Sequence, residues 1–176
     1  MCQNAADFRL GAAHPNILLV GACPGREEEA SNRPFAGVAG RCLRSMMLSL
    51  NAFRPMLFPS PHPDAYSMLN AHDLPRYRAR PGYDGRTQPT RLEVFAPANR
   101  ERVAAKLLHT QPTMVLYLGN VAEFIDPIVQ ELRPEALVFR TGHPSPSGWN
   151  TFAQYVGRPR EEKLERWARD QFRQLR

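Results

Sequence analysis

The stretch Asn16-Ile-Leu-Leu-Val-Gly-Ala-Cys-Pro-Gly25 decides the fold of this chain. Its apolar run, residues 17–20, is typical of a short strand that is buried on both faces of a parallel sheet. The glycines and the proline that follow end the strand and expose backbone at its carboxyl end, the edge at which open α/β sheets bind ligands. A second glycine-rich turn, Arg33-Pro-Phe-Ala-Gly-Val-Ala-Gly40, comes next. Two such turns with one aromatic side chain, Phe35, between them favour a narrow pocket that binds a flat ring.

The composition is that of a single globular domain, which we expect to span residues 1–176. The chain has 176 residues, 43% of them apolar, which is enough to bury a core. Its formal net charge of +6 suits a polyanionic partner such as nucleic acid. No apolar run approaches the ~18 residues of a membrane span, and the N-terminus has no signal-peptide pattern. We therefore expect a cytoplasmic (intracellular) protein with no membrane partner.

The cysteines argue against a metal or a disulfide framework. There are three, Cys2, Cys23 and Cys42, an odd number with no Cys-x-x-Cys pair. This pattern does not suit a disulfide scaffold, a zinc site or an iron–sulfur cluster. The chain also lacks the G-x-x-x-x-G-K-[ST] and G-x-G-x-x-G motifs of nucleotide-binding α/β proteins. The sequence therefore predicts no metal and no cofactor.

Apolar periodicity predicts strands that alternate with helices after a polar lead-in at residues 1–15. The predicted strands are 17–20, 65–69, 113–118 and 136–139, and the predicted helices are 41–50, 91–109, 121–132 and 158–175. This order predicts an α/β fold, a three-layer α/β/α sandwich around a short, mostly parallel four-stranded sheet.

Three polar side chains follow the predicted strands directly. Cys23, Asn70 and His143 each come just past the carboxyl end of a strand. Because the carboxyl ends of parallel strands meet at one edge of the sheet, we expect these side chains to converge on one cleft.

Residues 74–90 form a long predicted loop that interleaves arginines with tyrosines. Its basic side chains are Arg76, Arg78, Arg80 and Arg86, and its aromatic ones are Tyr77 and Tyr83. One interpretation is a solvated surface loop. The other is a loop that follows nucleic-acid phosphates and stacks on bases. Composition alone does not choose between them.

Several stretches together resemble the uracil-DNA glycosylase superfamily, and most closely its family 4 branch. The first family motif aligns without a gap onto 21–40, and the second, His-Pro-Ser-Pro, is present at 143–146. The strand-end asparagine of the family matches Asn70, and two further recurring patterns match 89–93 and 115–122. The resemblance covers roughly residues 16–147, and it implies an enzyme that flips uracil, or a related deaminated or damaged base, out of DNA and hydrolyses its N-glycosidic bond.

The resemblance implies a role for each matched base-pocket residue. Phe35 would stack on the flipped pyrimidine, and the Asn70 amide would pair with O4 and N3–H of uracil. The backbone at Gly21, Ala22 and Cys23 would line the edge of the ring. His143 would donate a hydrogen bond to O2 while the leaving base gains negative charge. Taken alone, a strand-end histidine is usually a satisfied polar residue, and Phe35 could equally belong to the core.

The same resemblance implies that the partner is DNA, in single- or double-stranded form. We expect the protein to bind it as a monomer. Ser145 and the turn around it, including Ser147, would hold the phosphates beside the lesion. Family members often insert an apolar residue from just after this motif into the vacated stack. Since Ser147 and Gly148 are too small for that, Trp149 is the nearest candidate. Arg86 occupies the place of a histidine with which a related branch traps DNA covalently, so we do not expect covalent trapping.

The departures from the family concern the attacking water. Family 4 has glutamate where this chain has Ala22, and other branches have Asp or Asn where it has Cys23. The nearest carboxylates are those of residues 27–29, which form either a solvated acidic turn or, with Glu28 as candidate, a group that reaches the water. The candidate catalytic residues are therefore His143, Cys23, Glu28 and the backbone of Ala22. The alternative is a binding module that keeps the pocket and has lost catalysis.

The iron–sulfur ligands of family 4 are also missing from the sequence. The chain has no N-terminal cysteine pair and no cysteine shortly after Asn70, and Pro97 stands where a further ligand would fall. The family comparison thus leads to the same prediction as the cysteine count, an enzyme without a cluster.

Overall fold

The computed structural model describes residues 4–145 together with residues 159, 162, 163 and 166. The strands are β1 (Asn4–Ala5), β2 (Phe8–Arg9), β3 (His14–Gly21), β4 (Tyr66–Asn70), β5 (Met114–Leu118) and β6 (Leu137–Thr141). The α-helices are α1 (Arg26–Ser31), α2 (Val38–Phe53), α3 (Arg91–Val94), α4 (Pro97–Thr110) and α5 (Asp126–Leu132). Two 3₁₀ turns, Pro63–Ala65 and Ala122–Ile125, precede β4 and α5.

The described strands form one mixed, mostly parallel sheet in the order β1-β2-β4-β3-β5-β6. β4, β3, β5 and β6 are parallel neighbours, and they contain the four predicted strands. The sheet has six strands rather than the predicted four, because β1 and β2 add an antiparallel edge to β4. The interpretation of 1–15 as a polar lead-in is therefore wrong for 4–9. Each of these two strands has only two residues, too few to show an alternating pattern.

Helices cover both faces of the sheet, as the three-layer prediction requires. Successive residues of a strand point to opposite faces, and accordingly Leu19 packs with Leu43 and Met46 of α2 in one core cluster. Leu18 joins the other cluster with Val103 of α4, among others. All of these side chains are fully buried.

The three helices predicted within residues 41–132 are present with changed bounds, and the one predicted at 41–50 is the longer α2. The helix predicted at 91–109 is two helices, because the Thr90 side chain caps α3 and Pro97 begins α4. The one predicted at 121–132 begins as a 3₁₀ turn and continues as α5. The predicted terminal helix over 158–175 lies outside the described residues except at 159, 162, 163 and 166. In the part of the chain that is described, no helix is long and apolar enough to cross a membrane.

Candidate active site

A cavity of about 230 Å³ opens at the carboxyl edge of the parallel strands. It is bounded by the turn after β3, the start of α1, the residue that ends β4, and the chain after β6. The residues predicted from sequence that line it are Ala22, Cys23, Glu28, Phe35, Asn70, Arg76 and His143. Side chains separated by as many as 121 positions along the chain thus line one space.

The ring of Phe35 lies directly against Gly21. Phe35 adopts φ of 54°, a left-handed backbone conformation that a bulky residue rarely takes. A Cβ atom added to Gly21 would lie 2.7 Å from Cζ of Phe35 and would also collide with Oδ1 of Asn70. A Cβ atom on Gly40 would collide with the carbonyl group of Phe35. The two glycines therefore let Phe35 turn back and lay its ring beside Asn70.

Asn70 ends β4 and is held by hydrogen bonds to the turn of the β-hairpin that β1 and β2 form. Its backbone N–H donates to the carbonyl oxygen of Asp7 at 2.7 Å, and its side-chain Nδ2 donates to the carbonyl oxygen of Ala6 at 3.4 Å. Only 3% of Asn70 is exposed. The hairpin that the sequence did not predict is thus one of the supports of the cavity.

His143 enters the cavity with its ring orientation fixed. Its Nδ1 accepts the backbone N–H of Ser145 at 3.2 Å and lies 2.9 Å from the Ser145 hydroxyl oxygen. A ring nitrogen that accepts an N–H carries no proton of its own, so the proton of the neutral ring is on Nε2. Burial lowers the pKa of His143, while the charge of Glu28 acts in the opposite direction. The group is therefore a neutral N–H donor near pH 7.

Close passage of the chain beside His143 depends on a glycine. Gly119, just after β5, has φ of 101°, and a Cβ atom there would lie 3.2 Å from Cβ of His143. Its N–H donates to the carbonyl oxygen of Thr141 at 2.9 Å. No role was predicted for Gly119, although a glycine directly after a strand is a signal of close backbone approach.

Glu28 is buried and does not belong to a solvated acidic turn. Its Oε2 accepts the N–H of Gly25 at 3.0 Å, and its Oε1 accepts the N–H of Gly37 at 3.2 Å. The carboxylate therefore joins the two glycine-rich turns, and it lines the cavity together with His143. Its neighbour Glu27 is exposed, so the solvated interpretation holds for Glu27 and fails for Glu28.

Cys23 and Ala22 supply no ionised group to the cavity. Burial raises the pKa of the Cys23 thiol to about 11, so the sulfur is protonated near pH 7 and is a poor nucleophile. Its Sγ lies 3.8 Å from the carbonyl oxygen of Thr87. The carbonyl oxygen of Ala22 accepts the N–H of His72 at 3.0 Å. Both residues thus serve as wall and backbone.

The arginine-rich loop is tied down by carboxylates. Nη2 of Arg76 lies 2.7 Å from Oε1 of Glu93, and its Nη1 lies 3.1 Å from Oδ2 of Asp84. Arg86 contacts the same two acids at 3.2 and 2.6 Å. Only 12% of the Arg76 side chain is exposed, and Arg76 lines the cavity. This part of the loop is therefore a wall of the site rather than a freely solvated segment.

Of the remaining residues predicted to contact DNA, some are described by the structure and two are not. Arg80 pairs with Glu29 at 3.3 Å, while Arg78 is exposed and has no ion pair within the described residues. Ser145 lies beside His143, as stated above. The other two predicted contacts, Ser147 and Trp149, lie outside the described residues.

Two features of the site were missed from sequence. Thr87 and Gln88, at the end of the arginine-rich loop, line the cavity beside Arg76. Arg102 of α4 donates from Nη2 to the backbone carbonyl of Asn70 at 2.9 Å. No local pattern marks either feature, since both depend on how distant segments pack. Among the described residues, no three His, Cys, Asp or Glu side chains are grouped to hold a metal ion.

Comparison with known proteins supports the superfamily part of the resemblance in the sequence and does not test the family 4 branch. The family model described as "UDG: Uracil DNA glycosylase superfamily" matches residues 8–170, nearly the whole chain. The matched segment begins at β2 and contains every residue that lines the cavity. The search of curated proteins found no match.

Proposed function

This chain belongs to the uracil DNA glycosylase superfamily, and from that premise we propose that it is a DNA glycosylase that hydrolyses the N-glycosidic bond of uracil, or of a related deaminated or damaged base. The observation that carries the proposal is the convergence of Phe35, Asn70 and the neutral His143 on one cavity at the carboxyl edge of the sheet. A duplex hides its glycosidic bonds in the base stack, so the base would enter this cavity after flipping out of the helix.

In this proposal Phe35 stacks on the flipped base and Asn70 reads its edge. His143 donates its Nε2–H to O2 of the base while the bond from N1 to C1′ breaks. The bonding electron pair moves onto the base, which leaves as an anion stabilised by this hydrogen bond, and the sugar becomes an oxocarbenium ion. Removing one such donor typically costs about 10²–10³-fold in rate.

A water molecule must then attack C1′ and lose a proton. Neither Ala22 nor the protonated Cys23 can accept it. Glu28 is the one carboxylate among the described residues that line the cavity, and its two backbone hydrogen bonds leave lone pairs unused. We assign it the role of holding this water and taking the proton, in place of the carboxylate that other family members carry at one of the two missing positions.

DNA is the proposed partner, bound by a monomer inside the cell. Among the described residues Arg78 has no ion-pair partner, unlike the other three loop arginines, so it is the strongest candidate for a phosphate contact in the loop. Arg76, Arg80 and Arg86 are ion-paired and would act chiefly by shaping the loop.

The second candidate function is a module that binds damaged DNA or a free base without cleaving it. The observation that favours it is the lack of an ionised group at Ala22 and Cys23, the two positions where the family handles the water. The two functions differ in turnover and not in binding.

The experiment that separates them uses labelled single-stranded oligonucleotides, each with one uracil, hypoxanthine or xanthine. Wild type and His143→Ala are incubated with each, strand breakage after alkali is measured, and binding is measured on the same DNA. Breakage by wild type that the substitution lowers by about 10²-fold or more supports the glycosylase and identifies its base. Tight, base-dependent binding without breakage by wild type supports the binding module.

A further inference from the structure

The backbone of Asn70 is held by an ion pair of two charged side chains, Asp7 and Arg102, which we call the clamp. Arg102 Nη1 forms an ion pair with Oδ2 of Asp7, and Arg102 Nη2 donates to the Asn70 carbonyl oxygen at 2.9 Å. The side chains of Arg102 and Asp7 are 15% and 13% exposed. The Asp7 carbonyl oxygen in turn accepts the Asn70 N–H at 2.7 Å. The clamp therefore fixes both sides of the Asn70 backbone.

The third nitrogen of the guanidinium anchors the clamp to the fold. Arg102 Nε donates to Oδ1 of Asn99 at 3.0 Å. Asn99 is 7% exposed, and its Nδ2 donates to the carbonyl oxygens of Ala71 and Val94 at 2.9 and 2.7 Å. A planar guanidinium with all three nitrogens engaged has little freedom to move. The clamp thus ties the hairpin of β1 and β2 to the end of β4 through α4.

The hairpin also decides which way the Asn70 amide faces. Its Nδ2 donates to the carbonyl oxygen of Ala6, and a carbonyl accepts only from the N–H side of an amide. Ala6 itself is fixed, because its N–H donates to Oδ1 of Asn32 at 3.0 Å. Oδ1 of Asn70 is thereby turned toward Gly21 and the Phe35 ring, the side of the cavity.

This orientation discriminates between two pyrimidines. Uracil carries a donor at N3, which an amide oxygen accepts, whereas cytosine carries an acceptor there. A flipped amide would present N–H groups and suit cytosine instead. A site built around one hydrogen-bonding pattern rejects a ligand that leaves its buried groups unpaired.

We propose that Asp7 and Arg102 are positioning residues that hold the Ala6 carbonyl against the Asn70 amide, and so make the pocket select uracil over cytosine. This inference rests on the proposed function of the site. Neither residue is among those that line the cavity, and each acts through Asn70.

The test removes both charges together, because removing one partner of a buried ion pair leaves the other uncompensated. Asp7→Asn/Arg102→Met is compared with Arg100→Met, which removes an exposed arginine of the same helix. Each is made in the His143→Ala background, so that bound DNA is cleaved far more slowly than by wild type, and affinities for single-stranded oligonucleotides with one uracil or one cytosine are measured. Thermal melting of each protein is recorded in parallel.

The expected result is that the uracil-to-cytosine affinity ratio falls about tenfold or more in the double variant and is unchanged in Arg100→Met. An unchanged ratio in a folded double variant overturns the inference and makes the clamp purely structural. If the double variant does not melt cooperatively, Arg102→Lys decides by the same ratio, because lysine keeps the charge but not the three-way contact.

The proposed function is judged separately by alkali cleavage with the proteins that retain His143. Absence of cleavage by wild type counts against the glycosylase alone, whereas an unchanged affinity ratio counts against the clamp alone.

Discussion

Nδ1 of His143 lies 3.2 Å from the backbone nitrogen of Ser145 and accepts its hydrogen. This one contact places the proton of the neutral ring on Nε2, the nitrogen available to a ligand. The sequence predicted that His143 would be a donor at a strand end. The position of the proton depends on the turn that follows, in which Ser145 folds back within two residues.

We expect NMR of ¹⁵N-histidine-labelled protein to show His143 neutral and protonated on Nε2 at pH 7. Because burial lowers its pKa below the usual 6.5, the ring should take up a proton only at a lower pH. A charged His143 ring at pH 7, or a proton on Nδ1, would be incompatible with the proposed role.

The same shift predicts how stability depends on pH. Below about pH 6.5 the unfolded chain binds a proton at His143 that the folded chain resists, so the folded state loses stability as the pH falls from there. Melting temperatures from pH 7.5 to 5.5 should fall less for His143→Gln than for wild type. Some decrease should remain, since burial also lowers the pKa of His72. Equal decreases in both proteins would contradict the assigned shift.

Glu28→Gln should lower base excision by about 10²–10⁴-fold, the usual contribution of a general base, with DNA affinity changed far less. The amide cannot take up the proton of the attacking water, but its oxygen can still accept one of the two backbone N–H groups. The exposed Glu27→Gln is the matched control. Equal losses of rate and affinity would reduce Glu28 to a structural link between the two turns.

Ala22→Glu tests the same step from the other side. A carboxylate at this position, which also lines the cavity, should restore part of the activity of Glu28→Gln and raise the rate of wild type far less, because Glu28 already holds the water there. A gain in wild type as large as the gain in Glu28→Gln would mean that Glu28 does not hold the water, and the role assigned to it would fail.

The parts of the fold that were predicted from sequence are those with a local signal. The continuous apolar run at 17–20 gives the central strand, and the strand ends then place Asn70 and His143 at one edge. The inward direction of Glu28 has no such signal, because three glutamates in succession face three directions around a helix. Which of them faces inward depends on where α1 begins after Gly25. The ion pair of Asp7 with Arg102 joins residues 95 positions apart and requires a strand pairing too short to predict.

Gly21→Ala should weaken the binding of uracil-containing DNA and lower cleavage together, about a hundredfold in cleavage. The added methyl group would lie 2.7 Å from Cζ of Phe35 and collide with Asn70, so the ring and the amide must both move. Phe35→Leu replaces the ring, one of the two groups with which the new methyl group collides. If the collision with the ring causes the loss, the fold-loss of cleavage in Gly21→Ala/Phe35→Leu should be smaller than the product of the fold-losses in the two single variants. Independent effects would place the ring away from Gly21 in solution.

The order of the arginine-rich loop depends on Glu93. Glu93 accepts hydrogen bonds from Thr90 and pairs with Arg76, and these contacts lower its pKa from the usual 4.5 to about 2. Glu93 also pairs with Arg86. Its contribution to loop order is therefore fully present above about pH 4.5 and is lost as the pH falls toward 2. At neutral pH, Glu93→Gln should speed tryptic cleavage within residues 74–90 several-fold, because Arg76 and Arg86 lose a shared anchor.

The matched control is Glu131→Gln, which breaks an exposed pair with Arg100 outside the loop and should leave the cleavage rate unchanged. Since Arg76 lines the cavity, Glu93→Gln should also weaken DNA binding more than it slows the chemical step. Faster proteolysis without any loss of affinity would mean that the order of the loop does not contribute to DNA binding, and the phosphate contact assigned to Arg78 would be withdrawn.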